Sequence, residues 1–349
     1  MATVAGLAVK PGLAPMEARL VEALPVEPGW VYEPKWDGFR CLLFRAGDEV
    51  LLQSKSGKPL ARYFPEVVDA VRALGSERLV LDGELIIDLD GALSFEALQM
   101  RLHPAESRIR RLSRETPAGL MLFDCLLGPD GESLLDRPLA ERRLALEALV
   151  KRERARGFDL SPWTDDPRIA QAWLDQAGTA LDGVVAKRRE GVYEAGDRAM
   201  LKVKQIRTAD CVVGGFRYGK GSREVGSLLL GLYNEQGLLD HVGFTSAIRA
   251  DERRTLTLRL EKLIEPPGFT GSSPGGPSRW SSERSSDWQP LRPELVVEVR
   301  YDQVTGCRFR HGTRFVRWRP DKAPEQCRMD QLVREAPPAA IAAALERAA

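Results

Sequence analysis

The feature that most constrains this chain is a change of pattern at residues 205–208. Before it, short strand-like runs alternate with helix-like segments; after it, nearly every regular segment is strand-like. In the first part, runs at 40–44 and 49–53 flank Ala46-Gly47-Asp48, the signature of a hairpin. Val67, Val68, Val71 and Leu74 fall at helical spacing over 65–74. Ser94 suits the N-cap of a helix reaching 102, and 139–156 reads as a charged amphipathic helix. The runs 79–87, 120–127, 183–187 and 200–204 read as strands. In the second part, 211–216, 227–233, 239–245, 295–301 and 315–318 read as five strands, with one helix over 250–264. That is the element count of a small OB-type barrel. Residues 266–286, rich in Pro, Gly and Ser, read as a surface loop inside this domain, because strands resume after it. The expected organisation is a tail at 1–15, domains at 16–205 and 206–335, and a short helical tail at 336–349.

A chain of 349 residues has material for two cores. No apolar run is long enough to span a bilayer, and the N-terminus lacks the features of a signal peptide. A cytoplasmic protein without membrane contact is expected. Five cysteines, odd in number and without C-x-x-C spacing, argue against a disulfide scaffold or zinc site. Three histidines argue against a His-based metal or triad site. With a net charge of +1, any nucleic-acid binding must come from local basic patches.

Six segments carry potential chemistry. Glu33-Pro34-Lys35-Trp36-Asp37-Gly38-Phe39-Arg40 puts a lysine beside a tight turn between strands, where burial or nearby cations can make an amine nucleophilic. Asp82 and Glu84, two apart on a strand, share a face and interrupt an apolar run, so their burial calls for a cation. Phe123-Asp124 ends an apolar strand with an aromatic able to stack on a purine. Leu181-Asp182-Gly183-Val184-Val185-Ala186-Lys187 is followed by Lys202-Val203-Lys204, whose ammonium groups repel unless an anion lies between them. Arg317-Trp318-Arg319-Pro320-Asp321-Lys322 is a cationic cluster suited to polyphosphate or DNA backbone. Taken singly, the segments have plainer readings: a surface lysine at Lys35, a solvated strand edge at Asp82 and Glu84 and at Lys202 and Lys204, a core phenylalanine at Phe123 and a basic surface patch at 317–322.

Taken in order, the segments resemble the motifs of the covalent nucleotidyltransferases: DNA ligases, RNA ligases and mRNA-capping enzymes. Lys-x-Asp-Gly-x-Arg stands at Lys35 to Arg40. A second segment is similar to Ser54-Lys55-Ser56-Gly57 with Arg62-Tyr63-Phe64-Pro65. Asp82-Gly83-Glu84, Phe123-Asp124, Asp182 to Lys187, Lys202-x-Lys204 and Arg319-x-Asp321-Lys322 match the rest. The Val-Val-Ala-Lys form resembles ATP-dependent DNA ligases, and the whole chain is similar to the short, stand-alone bacterial type related to the ligase module of end-joining enzymes. Two positions depart from the family pattern: Asp182 stands where Glu is usual, and Lys55 where Arg is usual.

The resemblance implies an α+β fold: a nucleotidyltransferase (adenylation) domain with antiparallel sheets and flanking helices, followed by an OB-fold β-barrel. It implies nick sealing in DNA repair and recombination through a lysyl-AMP intermediate on Lys35 and a DNA-adenylate. Lys202 and Lys204 would lower the pKa of Lys35 by like-charge repulsion and neutralise phosphate charge. Glu84 and Asp182 would hold Mg²⁺, or Mn²⁺ in its place. Glu33, Asp37, Arg40, Glu84, Phe123, Val185 and Lys187 would bind the nucleotide of ATP, with Glu33 on the adenine amino group, Phe123 on the ring and Arg40 on the ribose. Arg319, Asp321 and Lys322 would assist pyrophosphate departure. Lys55 and Arg62 would take the 5′-phosphate of a nick, and Arg101, Arg108, Arg110, Arg111 and Arg114 the backbone of duplex DNA lying between the domains. A monomer is expected, with a repair polymerase or end-binding protein as a candidate partner. The rival readings are an RNA ligase or capping-type enzyme, and a nucleic-acid-binding protein without catalysis.

Overall fold

Alternation of side chains along short strands organises the first part of the chain into two main sheets in a computed structural model that describes residues 3–89, 92–153, 157–176, 181–275 and 287–332. The expected helix at 336–349, and residues 276–286 of the expected loop, lie outside the described residues. The chain divides into two compact units, one running to Lys204 and the other beginning at Gln205.

In the first unit, the strands Glu49–Ser54, Phe39–Ala46, Arg78–Ile86, Gly119–Cys125 and Phe158–Leu160 lie side by side in that order. All pairs are antiparallel except the last. Helices Pro65–Arg72, Phe95–Arg101 and Leu139–Glu153 pack Val67, Val71, Leu98 and Leu146 against this sheet in one core. The Ser94 side chain accepts the Ala97 N–H at 3.2 Å, as its N-cap position predicts. A second sheet runs Ala18–Leu20, Met200–Val203, Leu181–Arg188, Trp30–Trp36. Its outer face packs Tyr32, Val184 and Ala186 on Trp173 of helix Pro167–Gln176. The two-residue side-chain period therefore turns Glu33, Lys35, Val185 and Lys187 to the other face.

Residues 1–15, expected as a tail, are built into this core as far as they are described. Val4, Leu7, Val9 and Met16 are buried with Leu42, Phe44 and Val80. The Val4 and Gly12 N–H groups donate to Glu49 and Gln53 at 2.9 and 2.7 Å. The segment crosses the sheet without a helix or strand period, so its apolar residues gave no pattern to read.

Two motif glycines are fixed by close approach. A Cβ on Gly38 would lie 2.1 Å from the Leu85 carbonyl oxygen, and one on Gly183, at φ +129°, would lie 2.0 Å from that of Val203. Gly183 sits where the pairing of Leu181–Arg188 with Trp30–Trp36 shifts register. Such an irregularity re-aims a neighbouring side chain, here Asp182.

The second unit is a sheet in the order Leu239–Thr245, Val225–Tyr233, Arg207–Tyr218, Val296–Tyr301, Arg314–Trp318. Every neighbouring pair is antiparallel. Helix Arg253–Glu261 follows the third strand in sequence and buries Leu260 in the unit's core. The two edge strands meet at a parallel bridge between Thr245 and Thr313, where the Thr313 N–H donates to the Phe244 carbonyl at 3.1 Å. All five expected strands and the helix are present, in OB-fold connectivity. Among the described residues the barrel is bridged at that edge rather than closed by a full ladder.

Candidate active site

A cleft of about 1050 Å³ opens in the first unit, with Glu33, Lys35, Arg40, Glu84, Phe123, Val185, Lys187 and Lys202 in its lining. Lys35 Nζ lies 2.5 Å from Asp182 Oδ2, and Lys204 Nζ lies 3.0 Å from Asp182 Oδ1. One nearly buried carboxylate thus bridges two ammonium groups that repel each other. The Lys35 side chain keeps 25% exposure, enough for a reactant to approach from the cleft. Asp182 lies between the Lys35 and Lys204 ammonium groups, and the pKa of Lys202 is lowered, by burial first and then by Lys35, Lys204 and Lys55.

Deeper in the cleft, Lys187 Nζ donates to Glu33 Oε1 at 2.8 Å, with both side chains at least 95% buried. The Lys187 ammonium also lies 4.7 Å from the centroid of the Phe123 ring, and the Arg40 guanidinium carbon 4.5 Å from it. Phe123 is therefore an electron-rich plate already bordered by two cations. Arg40 is committed to Asp82: Nε and Nη2 donate to its two oxygens at 2.5 and 2.6 Å. Arg40 consequently enters the cleft as part of its wall, with Nε and Nη2 held by Asp82. Glu84 stands opposite Arg40 in the ladder. Burial pushes its carboxyl up to about 7 against the pull of Lys35 and Arg40, with Asp37 and Asp82 adding to the rise. Asp37 thus acts through its charge beside Glu84 and is not in the cleft lining.

Lys55 lies at the cleft, paired with Glu17 at 3.0 Å. Arg62 donates to the Pro104 carbonyl beside it and is not in the lining. Arg101, assigned to a DNA-facing surface, is fully buried; it donates to the Tyr63 carbonyl at 2.9 Å and to Glu66 at 2.8 Å. Its position on the inner side of helix Phe95–Arg101 removes it from any DNA contact. Arg110 and Arg111 are exposed and paired along their helix with Glu106 and Glu115. In the second unit, Arg319 Nη1 and Lys322 Nζ converge on Asp210 at 2.8 Å each, and Arg319 holds Asp321 down to about 2. Arg319, Lys322, Asp210 and Asp321 form an ion-pair cluster of that unit.

Among the described residues no three His, Cys, Asp or Glu side chains gather as a ready-made metal cage. The residues sequence reasoning missed are Met16, Glu17, Asp82 as the anchor of Arg40, and Tyr193, whose hydroxyl donates to Asp82 at 2.6 Å. Asp82 was visible in its motif; Tyr193 lies 111 positions away with no local signal.

Residues 12–204 match the family model of the ATP dependent DNA ligase domain, and residues 221–322 that of the ATP dependent DNA ligase C terminal region. The chain is 46% identical over 337 residues to DNA ligase C1 of Mycolicibacterium smegmatis, covering 93% of this chain and 95% of that protein. It is 47% identical over 347 residues to DNA ligase C of Mycobacterium tuberculosis, covering 94% and 96%. The solved structure described as "DNA binding with a minimal scaffold: Structure-function analysis of Lig E DNA ligases" superposes with a TM-score of 0.56 at 17% identity, covering 87% of this chain and 99% of that one. At that identity the likeness is one of fold.

Proposed function

The chain belongs to the ATP-dependent DNA ligase family, and from that premise we propose that its cleft charges Lys35 with AMP and uses it to seal nicks in duplex DNA. The observation that carries this reading is the Lys35 amine, set in the cleft on Asp182 and beside the cations Lys202 and Lys204.

In the first step the Lys35 amine, having given up a proton, attacks the α-phosphorus of ATP. A nitrogen–phosphorus bond forms, the bond to the β-phosphate oxygen breaks, and pyrophosphate leaves with the electron pair. Asp182, hydrogen-bonded to the ammonium, would hold that proton, and the second proton that the nitrogen sheds as its bond to phosphorus forms would go to the departing pyrophosphate. Lys202 and Lys204 face the charge that grows on the phosphate. The buried Glu33 carboxylate is an acceptor for the adenine amino group, and the Phe123 ring offers a stacking face beside it. Val185 and Lys187 complete that wall. In the second step an oxygen of the nick's 5′-phosphate displaces Lys35 from phosphorus, and the amine regains its proton. In the third, the 3′-hydroxyl attacks the activated 5′-phosphorus and AMP departs. Lys55, in the cleft lining, would take the 5′-phosphate, with Arg62 as the second candidate cation.

Glu84 and Asp182 suit a hard cation such as Mg²⁺ or Mn²⁺. Both offer carboxylate oxygens, and the burial that raises Glu84 to about 7 is a cost that a divalent charge would offset. Such an ion would neutralise and orient phosphate oxygens when bound. On the protein side, Asp182 would exchange an ammonium contact for it.

The chain is read as a cytoplasmic monomer acting on DNA, with a repair polymerase or end-binding protein as candidate partner. Among the described residues no helix is long and apolar enough to cross a membrane. The test is to offer pre-adenylated protein a nick in DNA or in RNA, with a 5′-phosphate or a 5′-hydroxyl, at rising salt. Sealing of the phosphorylated DNA nick only, falling steeply with salt, is expected. Preferential sealing of RNA, or salt-insensitive sealing, would contradict the reading.

A further inference from the structure

A closed circuit of hydrogen bonds stands behind the cleft. The Tyr193 hydroxyl donates to Asp82 Oδ2 at 2.6 Å and accepts the Met16 N–H at 3.1 Å. Asp82 Oδ2 also accepts Arg40 Nη2 at 2.6 Å, and the same nitrogen donates to the Met16 carbonyl at 3.3 Å. Tyr193, Asp82, Arg40 and Met16 therefore close on one another, and both backbone polar groups of Met16 are taken up. Tyr193 is 5% exposed and Asp82 0%, so water does not replace a lost member readily. Burial and the Asp82 charge drive the phenol well above its ordinary pKa, which keeps it a donor.

The circuit is anchored from behind. The Tyr193 N–H donates to the Leu135 carbonyl at 2.8 Å, and the Arg142 guanidinium carbon lies 5.7 Å from the tyrosine ring centroid. Arg142 in turn grips Asp124, the neighbour of Phe123, with bonds of 2.8 and 3.0 Å. In front, the circuit faces the cleft: Met16 and Arg40 both line it, and Arg40 lies against Phe123.

We propose that Tyr193 is a positioning residue for the nucleotide, holding Arg40 and the Met16 backbone as the wall against which adenylate is bound. This rests on the reading of the cleft as the ATP site. The hydroxyl of Tyr193 is bonded to Asp82 and Met16, which line or back the wall of the cleft, so its effect falls on ATP binding more than on phosphoryl transfer.

The variant Tyr193→Phe keeps the ring and removes the hydroxyl. The rate of Lys35 labelling by α-labelled ATP is measured against ATP concentration. A rise in KM for ATP of about tenfold is expected, the effect of one hydrogen bond to a charged group, with kcat within about twofold of wild type. A residue that only supports the scaffold would lower the active fraction, so kcat would fall with KM unchanged, and that result would overturn the proposal. Should Tyr193→Phe not fold, Asp82→Asn is read in the same way. It keeps the shape and weakens the hold on Arg40, and an unchanged KM would again overturn the proposal. Wild-type protein is labelled in parallel. Absence of label there would overturn the reading of the cleft and this inference with it. Normal wild-type labelling with an unshifted KM in the variants overturns the inference alone.

Discussion

Replacing Glu33 by leucine tests the electrostatics of the cleft floor. Glu33 and Lys187 are joined at 2.8 Å, and their side chains are only 3% and 5% exposed. Removing the carboxylate leaves a buried ammonium with the Phe123 ring, 4.7 Å away, as a remaining favourable contact. Breaking one side of such a buried pair costs about 3–5 kcal/mol, and the ring returns about 0.5–2 kcal/mol of that at most. A net loss of about 1–4.5 kcal/mol follows, which in a unit of this size lowers Tm by roughly 2–18 °C. The double variant Glu33→Leu/Lys187→Met removes both charges and should melt near wild type, because an apolar pair of similar volume is about as stable as a buried ion pair. Melting followed by circular dichroism reads both. Neither variant should be labelled efficiently by ATP, since the acceptor for the adenine amino group is gone. A single variant that melts within about 2 °C of wild type, or a double variant as unstable as the single, would refute the buried pair.

Two further outcomes follow from the same physics. Glu84 is raised from its ordinary 4.5 to about 7 in the folded protein, so between those values the folded state binds more protons than the unfolded one. Its contribution to stability is therefore full below pH 4.5 and is lost as pH rises to about 7; Glu84→Gln should remove that slope from a series of urea melts. The same ionisation means that the Mg²⁺ concentration giving half-maximal labelling should fall between pH 6 and 8, and a flat dependence would count against Glu84 as a metal ligand. Arg101→Met should lower stability by about 3 kcal/mol, as the loss of a buried charged network does. Its affinity for nicked DNA, measured below the melting temperature, should match wild type, and a clear loss would mean that Arg101 faces DNA after all.

What the sequence made legible was whatever repeats locally. Val67, Val71 and Leu74 carry helical spacing, Ser94 carries its cap, and the five strands of the second unit carry alternation with turn residues between them. Lys35, the two acidic strands and the paired lysines were legible because their charges interrupt apolar runs. What stayed hidden depends on contacts distant in sequence. That Asp182 is aimed at Lys35 follows from a register shift at Gly183, which no pattern announces. Arg101 reads as one of a basic run, yet it turns inward and satisfies carbonyls of two other segments. The N-terminal residues look like a tail because Val4, Leu7 and Val9 have no period, and only the pocket formed by Leu42, Phe44 and Val80 gives them a place. Tyr193 is an ordinary loop tyrosine until Asp82 and Met16 are brought to it.

The most direct measurement is to incubate the protein with α-labelled ATP and Mg²⁺ and to map any covalent adduct by mass spectrometry, beside Lys35→Ala. One acid-labile AMP on Lys35 of the wild type, chased onto a 5′-phosphorylated nick and missing from the variant, is the predicted result. Label on another residue, or label that persists in Lys35→Ala, would contradict it.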